Sequence, residues 1–306
     1  MTACFSLRPL ALKIKEYAEL VQFEHTVFAL PFALSALLLA TPPDRWPSAW
    51  VVGWVLLAMV GGRTYAMALN RLLDADIDAK NPRTQNRAIP AGRIKRAEGW
   101  RLALVSLALL VGATTQLPPL CLQLLPLAVA ILSFYSWTKR FTSLCHLVLG
   151  LALGSAAVAG WLAVTGSFSG GLPVVFGLAV LFWVAGFDII YACQDTAFDQ
   201  REGLHSLPAQ LGIAQALWLS RVFHGLSVLC LVVFGIWYHQ AWQPTLWGYW
   251  LGTLLMAITL VLEHRWVQPH DLSRVNAAFF TLNARISLLF FLLLLLSRSV
   301  WLLGWG

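Results

Sequence analysis

Charged residues are scarce in this chain. Asp, Glu, Lys and Arg make up 11% of its 306 residues, whereas hydrophobic residues make up 59%. The mean hydropathy is +0.72. About a quarter of the residues in a typical soluble domain are charged, so this composition excludes an ordinary soluble protein. It indicates an integral membrane protein with no separate soluble domain.

Paired cysteines and an N-terminal cleavage pattern are also lacking. The five cysteines have neither disulfide-like nor metal-ligand spacing, so we interpret them as small buried hydrophobic residues. No short apolar core is followed by a small-residue cleavage site, and we therefore expect no removable signal peptide. The net charge of +7 could suggest nucleic-acid binding, but in a membrane protein we interpret the basic residues as determinants of topology.

Long apolar runs fill most of the chain. They are too long and too continuous for the strands of a membrane barrel, which predicts helices that satisfy their own backbone hydrogen bonds. The fold class is therefore all-α, a single domain over residues 1–306. We predict nine transmembrane helices, at about residues 20–40, 50–70, 100–115, 120–137, 144–164, 173–193, 213–238, 246–262 and 277–296.

Basic residues are concentrated in alternate connections between these spans. Arg83, Arg87, Lys139 and Arg140 lie on the basic-rich side, whereas the other side carries Arg45. The positive-inside rule predicts that the basic-rich side is cytoplasmic, in a bacterial inner or plasma membrane. Two polar residues within the last span, Asn283 and Arg285, are expected to have interhelical partners.

A first cluster of polar residues follows the second predicted span. Asn70, Asp74 and Asp78 are spaced at i, i+4 and i+8, which places them on one face of a helix. Arg63, seven residues before Asn70, falls on the same stripe, whereas Asp76 points elsewhere and should be dispensable. A structural ion pair beside a solvated loop is the alternative, but ionisable residues within a membrane usually mark function.

A second cluster ends the sixth predicted span. Asp188, Tyr191, Asp195 and Asp199 are spaced so that they share one face of a helix. An acidic helix end facing water is the structural alternative, and it leaves Asp188 unexplained because that residue lies within an apolar run.

Together the clusters offer hard oxygen ligands, which suit Mg²⁺ and are poor for zinc. Magnesium is usually bound by a few carboxylates together with substrate phosphate oxygens, so a diphosphate is the expected further ligand. Arginine and lysine can balance the remaining diphosphate charge. The candidate substrate-binding residues are Arg63, Arg83, Arg87, Lys139 and Arg140.

These motifs resemble those of the UbiA superfamily of intramembrane aromatic prenyltransferases. The spacing from Asn70 to Asp78 is similar to the first aspartate-rich motif of that family, and the spacing from Asp195 to Asp199, after Tyr191, is similar to the second. Further similar landmarks are Phe23-Glu24-His25-Thr26, Phe28-Ala29-Leu30-Pro31-Phe32, Arg87-x₂-Pro90-x-Gly92, Tyr135-Ser-x-Thr-Lys139-Arg140-Phe141-Thr142 and Gly203-x-His205-Ser206.

The resemblance implies nine helices around a central cavity that opens to the bilayer, and a site that holds two Mg²⁺ ions. Asn70, Asp74 and Asp78 would bind one ion, and Asp195 and Asp199 the other. In that family the metal ions bind the diphosphate of a prenyl donor, and Lys139 and Arg140 would hold the same group.

The implied reaction transfers a polyprenyl group from its diphosphate to the ring of an aromatic acid. By this resemblance 4-hydroxybenzoate is the expected acceptor, and a dihydroxynaphthoate of menaquinone biosynthesis is the alternative. Asp188 and Tyr191 would orient or deprotonate the acceptor phenol. Arg63 would bind the acceptor carboxylate or pair with Asp188. A transporter is the remote alternative, disfavoured because the charges gather at one membrane side and no internal repeat is evident.

Overall fold

The computed structural model describes residues 10–22, 26–241 and 246–304. Within these ranges the regular secondary structure is helical, apart from one isolated β-bridge between Gln268 and Asp271. The helices are α1 Leu10–Leu20, α2 Thr26–Ala40, α3 Ala49–Leu73, α4 Ala75–Asp78, α5 Arg96–Thr114, α6 Pro119–Thr138, α7 Cys145–Thr165, α8 Leu172–Ala192, α9 Thr196–Glu202, α10 Leu207–Leu211, α11 Ile213–Ala241, α12 Trp247–Trp266 and α13 Asn283–Leu302.

The all-α membrane bundle predicted from the sequence is confirmed, but the count of nine spans is not. In the described part of the chain, seven helices are long and apolar enough to cross a bilayer. The first predicted span provides a shorter apolar helix, Leu30–Ala40. The eighth, α12, has 20 residues but ends in Glu263, His264 and Arg265, which lower its hydropathy.

Close helix contacts in the bundle depend on small residues of α7. A Cβ atom added to Gly150 would lie 2.3 Å from the carbonyl oxygen of Leu181 on α8, and one added to Gly160 would lie 2.4 Å from the carbonyl oxygen of Ala33 on α2. These distances leave no room for a side chain. The two glycines therefore permit the close packing of α7 against α2 and α8.

Aromatic rings fill the core between α2, α7, α8, α11, α12 and α13. Trp161, Phe176, Trp183, Phe234 and Phe290 are almost completely buried. Their rings contact neighbours at centroid distances between 4.8 and 6.4 Å, in tilted or edge-on arrangements that aromatic pairs favour. This core fixes α8, the helix that leads to the second acidic cluster.

A buried polar group ties the last helices to α8. Asn283 accepts a hydrogen bond from the indole Nε1 of Trp183 at 2.7 Å and donates one to Glu263 Oε1 at 3.0 Å. The predicted interhelical partner of Asn283 is thereby confirmed. Arg285 is exposed and makes no ion pair with any residue in the described ranges, so the same expectation is wrong for it.

Candidate active site

The first acidic cluster lies where α3 ends. The helix stops at Leu73, and Asp74 has non-helical angles of φ −88° and ψ 1° before the single turn of α4. The predicted helix through Asp78 is thus interrupted at Asp74, but the i to i+4 backbone bonds from Asp74 to Asn70 and from Asp78 to Asp74 are kept. Arg63 does not contact Asn70; it donates to the carbonyl oxygen of Gln22 at 3.0 Å.

Each carboxylate of this cluster faces a basic side chain. Asn70 Nδ2 donates to Asp74 Oδ2 at 2.8 Å, and Arg140 lies 3.1 Å from Asp74 Oδ1. Arg87 Nη1 donates to both oxygens of Asp78 at 2.7 Å. Burial, followed by the negative charge of Asp78, raises the pKa of Asp74 above its usual value. The positive charge of Arg140 and its hydrogen bond to Asp74 oppose this rise.

The second cluster also lies at a helix break. Helix α8 ends at Ala192, a 3₁₀ turn covers Cys193–Asp195, and α9 begins at Thr196. Because 3₁₀ geometry has 3.0 residues per turn instead of 3.6, the predicted common helical face from Asp188 to Asp199 is not kept. Asp188 and Asp195 therefore face different partners.

Asp195 is held by residues that follow the first cluster. Arg83 Nε donates to Asp195 Oδ1 at 2.9 Å while its Nη2 contacts Oδ2, a two-point pairing. Asn81 Nδ2 donates to Asp195 Oδ1 at 3.1 Å. Arg83 also donates to the hydroxyl of Tyr191 at 2.9 Å. These contacts, between residues more than 100 positions apart, join the two clusters.

Two consecutive residues at the end of α6 bridge the clusters directly. Lys139 Nζ lies 2.7 Å from Asp199 Oδ1 of the second cluster, while Arg140 contacts Asp74 of the first. The hydroxyl of Ser206 donates to the other oxygen of Asp199 at 2.8 Å. The ends of α3, α6 and α8 therefore converge on one charged site, as the sequence motifs predicted.

Asp188 has a partner that was not foreseen. Its Oδ2 lies 2.7 Å from Nδ1 of His146, a buried residue on α7. The suggested pairing of Asp188 with Arg63 is wrong, because Arg63 contacts the Gln22 carbonyl instead and its Nε is buried with no hydrogen-bond partner in the described part of the chain.

Other predicted residues lie apart from this arrangement. Asp76 is exposed and pairs with Arg96 at the surface, consistent with its predicted position off the site. Phe23, Glu24 and His25 lie outside the described residues.

A small cavity adjoins the first cluster. It has a volume of about 110 Å³, and Gln22, Arg71 and Arg87 are among its lining residues. The buried Arg71 side chain donates a long hydrogen bond, 3.3 Å, to Asn70 Oδ1. The predicted central cavity for a long lipid tail stays a prediction, since this volume is close to that of a few water molecules.

Sequence reasoning missed Asn81, Arg71 and His146 as members of the site. Arg71 and Asn81 flank the first motif, and their proximity to it was a usable signal. No such signal indicated His146, because it lies 42 residues from Asp188 in the sequence.

The donor set suits magnesium in its chemistry, although the side chains are arranged as ion pairs. In the described ranges, no three His, Cys, Asp or Glu side chains approach closely enough to hold an ion together. All five predicted ligands nevertheless offer oxygen donors, and Mg²⁺ needs only one or two carboxylates when phosphate oxygens complete its shell. The residues present therefore fit such an ion together with a diphosphate.

The fold and site define a multi-pass membrane protein with one charged centre where its helix ends converge. In a comparison with known proteins, the model of the UbiA prenyltransferase family matches residues 29–295 of this chain. The chain belongs to the UbiA prenyltransferase family.

Among its relatives is the 4-hydroxybenzoate solanesyltransferase of Synechocystis, which is 30% identical over 71% of this chain and 72% of that enzyme. The 4-hydroxybenzoate octaprenyltransferase of Marinomonas is 31% identical over 65% of this chain and 71% of its own length. The chain spans only 47% to 58% of the mitochondrial 4-hydroxybenzoate polyprenyltransferases of Aedes aegypti, Caenorhabditis elegans, Arabidopsis thaliana and Drosophila pseudoobscura.

Solved structures agree with the fold. A UbiA homolog from Aeropyrum pernix, in its apo form, has a TM-score of 0.79 and 32% identity, covering 89% of this chain and 98% of its own. A UbiA homolog from Archaeoglobus fulgidus, bound to GPP and Mg²⁺, has a TM-score of 0.75 and 20% identity, covering 93% of this chain and all of its own. The second similarity shows the fold alone.

Proposed function

We propose that this protein is a Mg²⁺-dependent prenyltransferase, which transfers a polyprenyl group from polyprenyl diphosphate to the ring of 4-hydroxybenzoate in membrane quinone biosynthesis. The observation that carries the proposal is the convergence of both acidic clusters on Lys139 and Arg140. The names of the relatives, 4-hydroxybenzoate solanesyltransferase and octaprenyltransferase, support the same reaction.

The ion pairs suggest how the charged site receives its donor. Four carboxylates are each paired with a basic side chain: Asp74 with Arg140, Asp78 with Arg87, Asp195 with Arg83 and Asp199 with Lys139. In our proposal the carboxylates and Asn70 would hold magnesium, and the basic residues would hold the diphosphate. The net charge of the site then changes little on binding.

Bound magnesium supplies electrostatic stabilisation of the leaving diphosphate. The C1–O bond of the donor breaks, and the diphosphate keeps the electron pair beside Lys139, Arg140 and Arg83. An electron-rich carbon of the acceptor ring attacks the allylic C1, and the ring then loses the proton from that carbon. Apolar walls keep water from the cation.

On the acceptor side, Asp188 takes the phenolic proton or orients the phenol. The hydroxyl of Tyr191 is held by Arg83 at 2.9 Å, next to the donor's charged group, and it belongs to the same wall of the site. Arg63 and the neighbouring Arg71 are the basic residues suited to an acceptor carboxylate.

The site is proposed to face the cytoplasm, in a bacterial inner or plasma membrane. The positive-inside distribution supports this orientation, because Arg83, Arg87, Lys139 and Arg140 all belong to the site and to the basic-rich connections. The prenyl tail would then lie in the bilayer, and the acceptor would arrive from the aqueous side.

A direct assay tests this function. Membranes that contain the protein are incubated with Mg²⁺, radiolabelled polyprenyl diphosphate and either 4-hydroxybenzoate or a dihydroxynaphthoate, with chelated samples as controls. Label in a prenylated 4-hydroxybenzoate that disappears on chelation supports the proposal. Label only in the naphthoate product assigns the chain to the menaquinone reaction, and label in neither product refutes the prenyltransferase proposal.

A further inference from the structure

His146 is almost completely buried, and both of its ring nitrogens have partners. Nδ1 lies 2.7 Å from Asp188 Oδ2, while Nε2 lies 3.3 Å from the backbone nitrogen of Leu207. The ring thus connects α7 with α8 and with Leu207, the first residue of α10. A buried histidine with two defined partners has a fixed orientation.

The partners also fix the position of the proton on the ring. The Leu207 backbone N–H can only donate, so Nε2 must be the unprotonated, accepting nitrogen. Nδ1 then carries the proton and donates it to Asp188 Oδ2. In this arrangement the imidazole donates from Nδ1 to Asp188 and accepts at Nε2 from Leu207.

One oxygen of Asp188 is left for another molecule. Only Oδ2 is engaged by His146, and no residue of the described ranges donates a hydrogen bond to Oδ1. The Asp188 side chain keeps 20% of its surface exposed, compared with 3% for His146. The histidine is therefore enclosed, whereas the carboxylate is open on one side.

We propose that His146 is a positioning residue, which holds Asp188 so that its free oxygen receives the hydroxyl proton of the aromatic acceptor. This inference rests on the proposed function. The hydroxyl O–H bond breaks, its electron pair stays on the phenolate oxygen, and the proton moves to Asp188 Oδ1. His146 does not touch the acceptor and keeps its own proton on Nδ1 throughout.

The loop that precedes α10 links this pair to the donor half of the site. Ser206, the residue before Leu207, donates to Asp199, and His205 donates its backbone N–H to the carbonyl oxygen of Lys139 at 2.7 Å. A shift of this loop therefore moves the Leu207 N–H that orients His146. The loop connects the acceptor base with the residues proposed to hold the diphosphate.

Two further titratable groups face the pair. Tyr135, on α6, is close enough to Asp188 to interact with its charge, and Cys145 precedes His146 on α7. Tyr135 also interacts with the charges of Asp74 and Arg71. An experiment that varies pH must separate the effect of Asp188 from these groups, and a variant of His146 alone does so.

The proton position is measurable without turnover. In protein labelled with ¹⁵N-histidine and purified in detergent, the signals of His146 are identified by their loss in His146→Asn. We expect the neutral form with the proton on Nδ1. A proton on Nε2, or on both nitrogens, overturns the proposal whether or not the protein is active.

Two variants separate positioning from simple packing. In His146→Asn the side-chain amide can still donate to Asp188 from the position of Nδ1, whereas in His146→Gln the amide extends toward Leu207. We expect His146→Asn to retain the wild-type kcat/KM for the acceptor within about threefold. In His146→Gln the kcat/KM for the acceptor should fall at least about thirtyfold. The KM for the donor should be unchanged in both variants. The acidic limb of the pH profile in His146→Gln should move to higher pH by about one unit or more, because a hydrogen bond to the carboxylate is lost.

The outcomes distinguish this inference from the proposed function. If the wild-type protein is active and the two variants are equally impaired, or if only the donor KM changes, the positioning role is wrong and the function stands. If the wild-type protein prenylates no acceptor, the proposed function fails and the positioning role fails with it. Thermal unfolding of both variants, measured first, shows that they are folded.

Discussion

Replacement of Arg83 by glutamine should make magnesium bind more tightly to the protein when no prenyl diphosphate is present. Arg83 occupies both oxygens of Asp195, so an ion that uses Asp195 as a ligand must first displace the guanidinium group. The variant removes this competitor. Asn81 still donates to Asp195, so the carboxylate should keep its place.

The size of the effect follows from the environment of the pair. Two unit charges about 4 Å apart attract by about 4 kcal/mol at the effective dielectric constant of about 20 found near protein surfaces. The Arg83 side chain is one-third exposed, so water replaces part of that interaction. Hydrogen bonds to charged groups contribute about 1.5–3 kcal/mol. We therefore expect about 2 kcal/mol, which is roughly a 30-fold gain in magnesium affinity.

Isothermal titration calorimetry of detergent-purified protein with Mg²⁺ measures this gain. Arg96→Gln is the matched control, because Arg96 pairs with Asp76 at an exposed position and should not alter the affinity. An affinity in Arg83→Gln equal to or weaker than that of the wild type would refute the idea that the basic residues and the metal share the same carboxylates. Affinity for prenyl diphosphate should fall in the same variant.

Three further changes probe the site and the bundle. Lys139→Gln should raise the KM for the prenyl donor at least about tenfold in the transfer assay, since it removes a proposed partner of the diphosphate. Lys80→Gln, at an exposed ion pair, should have little effect. Equal KM values in the two variants would contradict the proposed role of Lys139. Gly150→Ala should lower the Tm, because overpacking costs about 1–3 kcal/mol. Gly112→Ala places its methyl group in open space and should leave the Tm unchanged or slightly raised. A lower Tm for Gly112→Ala than for Gly150→Ala would contradict the close packing at Gly150. Asn283→Ala should also lower the Tm, as each buried group left unpaired costs about 1–3 kcal/mol, and an unchanged Tm would contradict its role.

Much of the site was predictable because its chemistry is local in the sequence. The spacing of Asn70, Asp74 and Asp78, and that of Asp195 and Asp199, marks both clusters in the sequence alone. The apolar runs identified most of the bundle. These signals depend on periodicity and composition, which a single sequence displays directly.

The arrangement of the side chains was less predictable. The stripe expected through Asp78 assumed an unbroken helix, but α3 ends at Leu73 and Asp74 leaves helical geometry. No local pattern marks that break, since neither glycine nor proline is present there. The pairing of Asp195 with Arg83, across 112 positions, depends on how the helices pack and is not encoded by local spacing.

The hydrogen-bonding partner of Asp188 illustrates the same limit. His146 shared no spacing with other histidines, and nothing in its neighbourhood indicated a polar contact. It meets Asp188 because α7 and α8 pack closely through Gly150 and Gly154. Helix packing thus decides which polar groups meet within an apolar bundle.

The central claim is that both acidic clusters serve one reaction, and substitution of one aspartate in each tests it most directly. Prenyl transfer to 4-hydroxybenzoate is measured for Asp74→Ala, Asp195→Ala and Asp76→Ala, each confirmed as folded protein in the membrane. We predict that the first two variants lose turnover and that Asp76→Ala retains it, because Asp76 pairs with Arg96 away from the site. Normal turnover in either Asp74→Ala or Asp195→Ala would contradict the shared site.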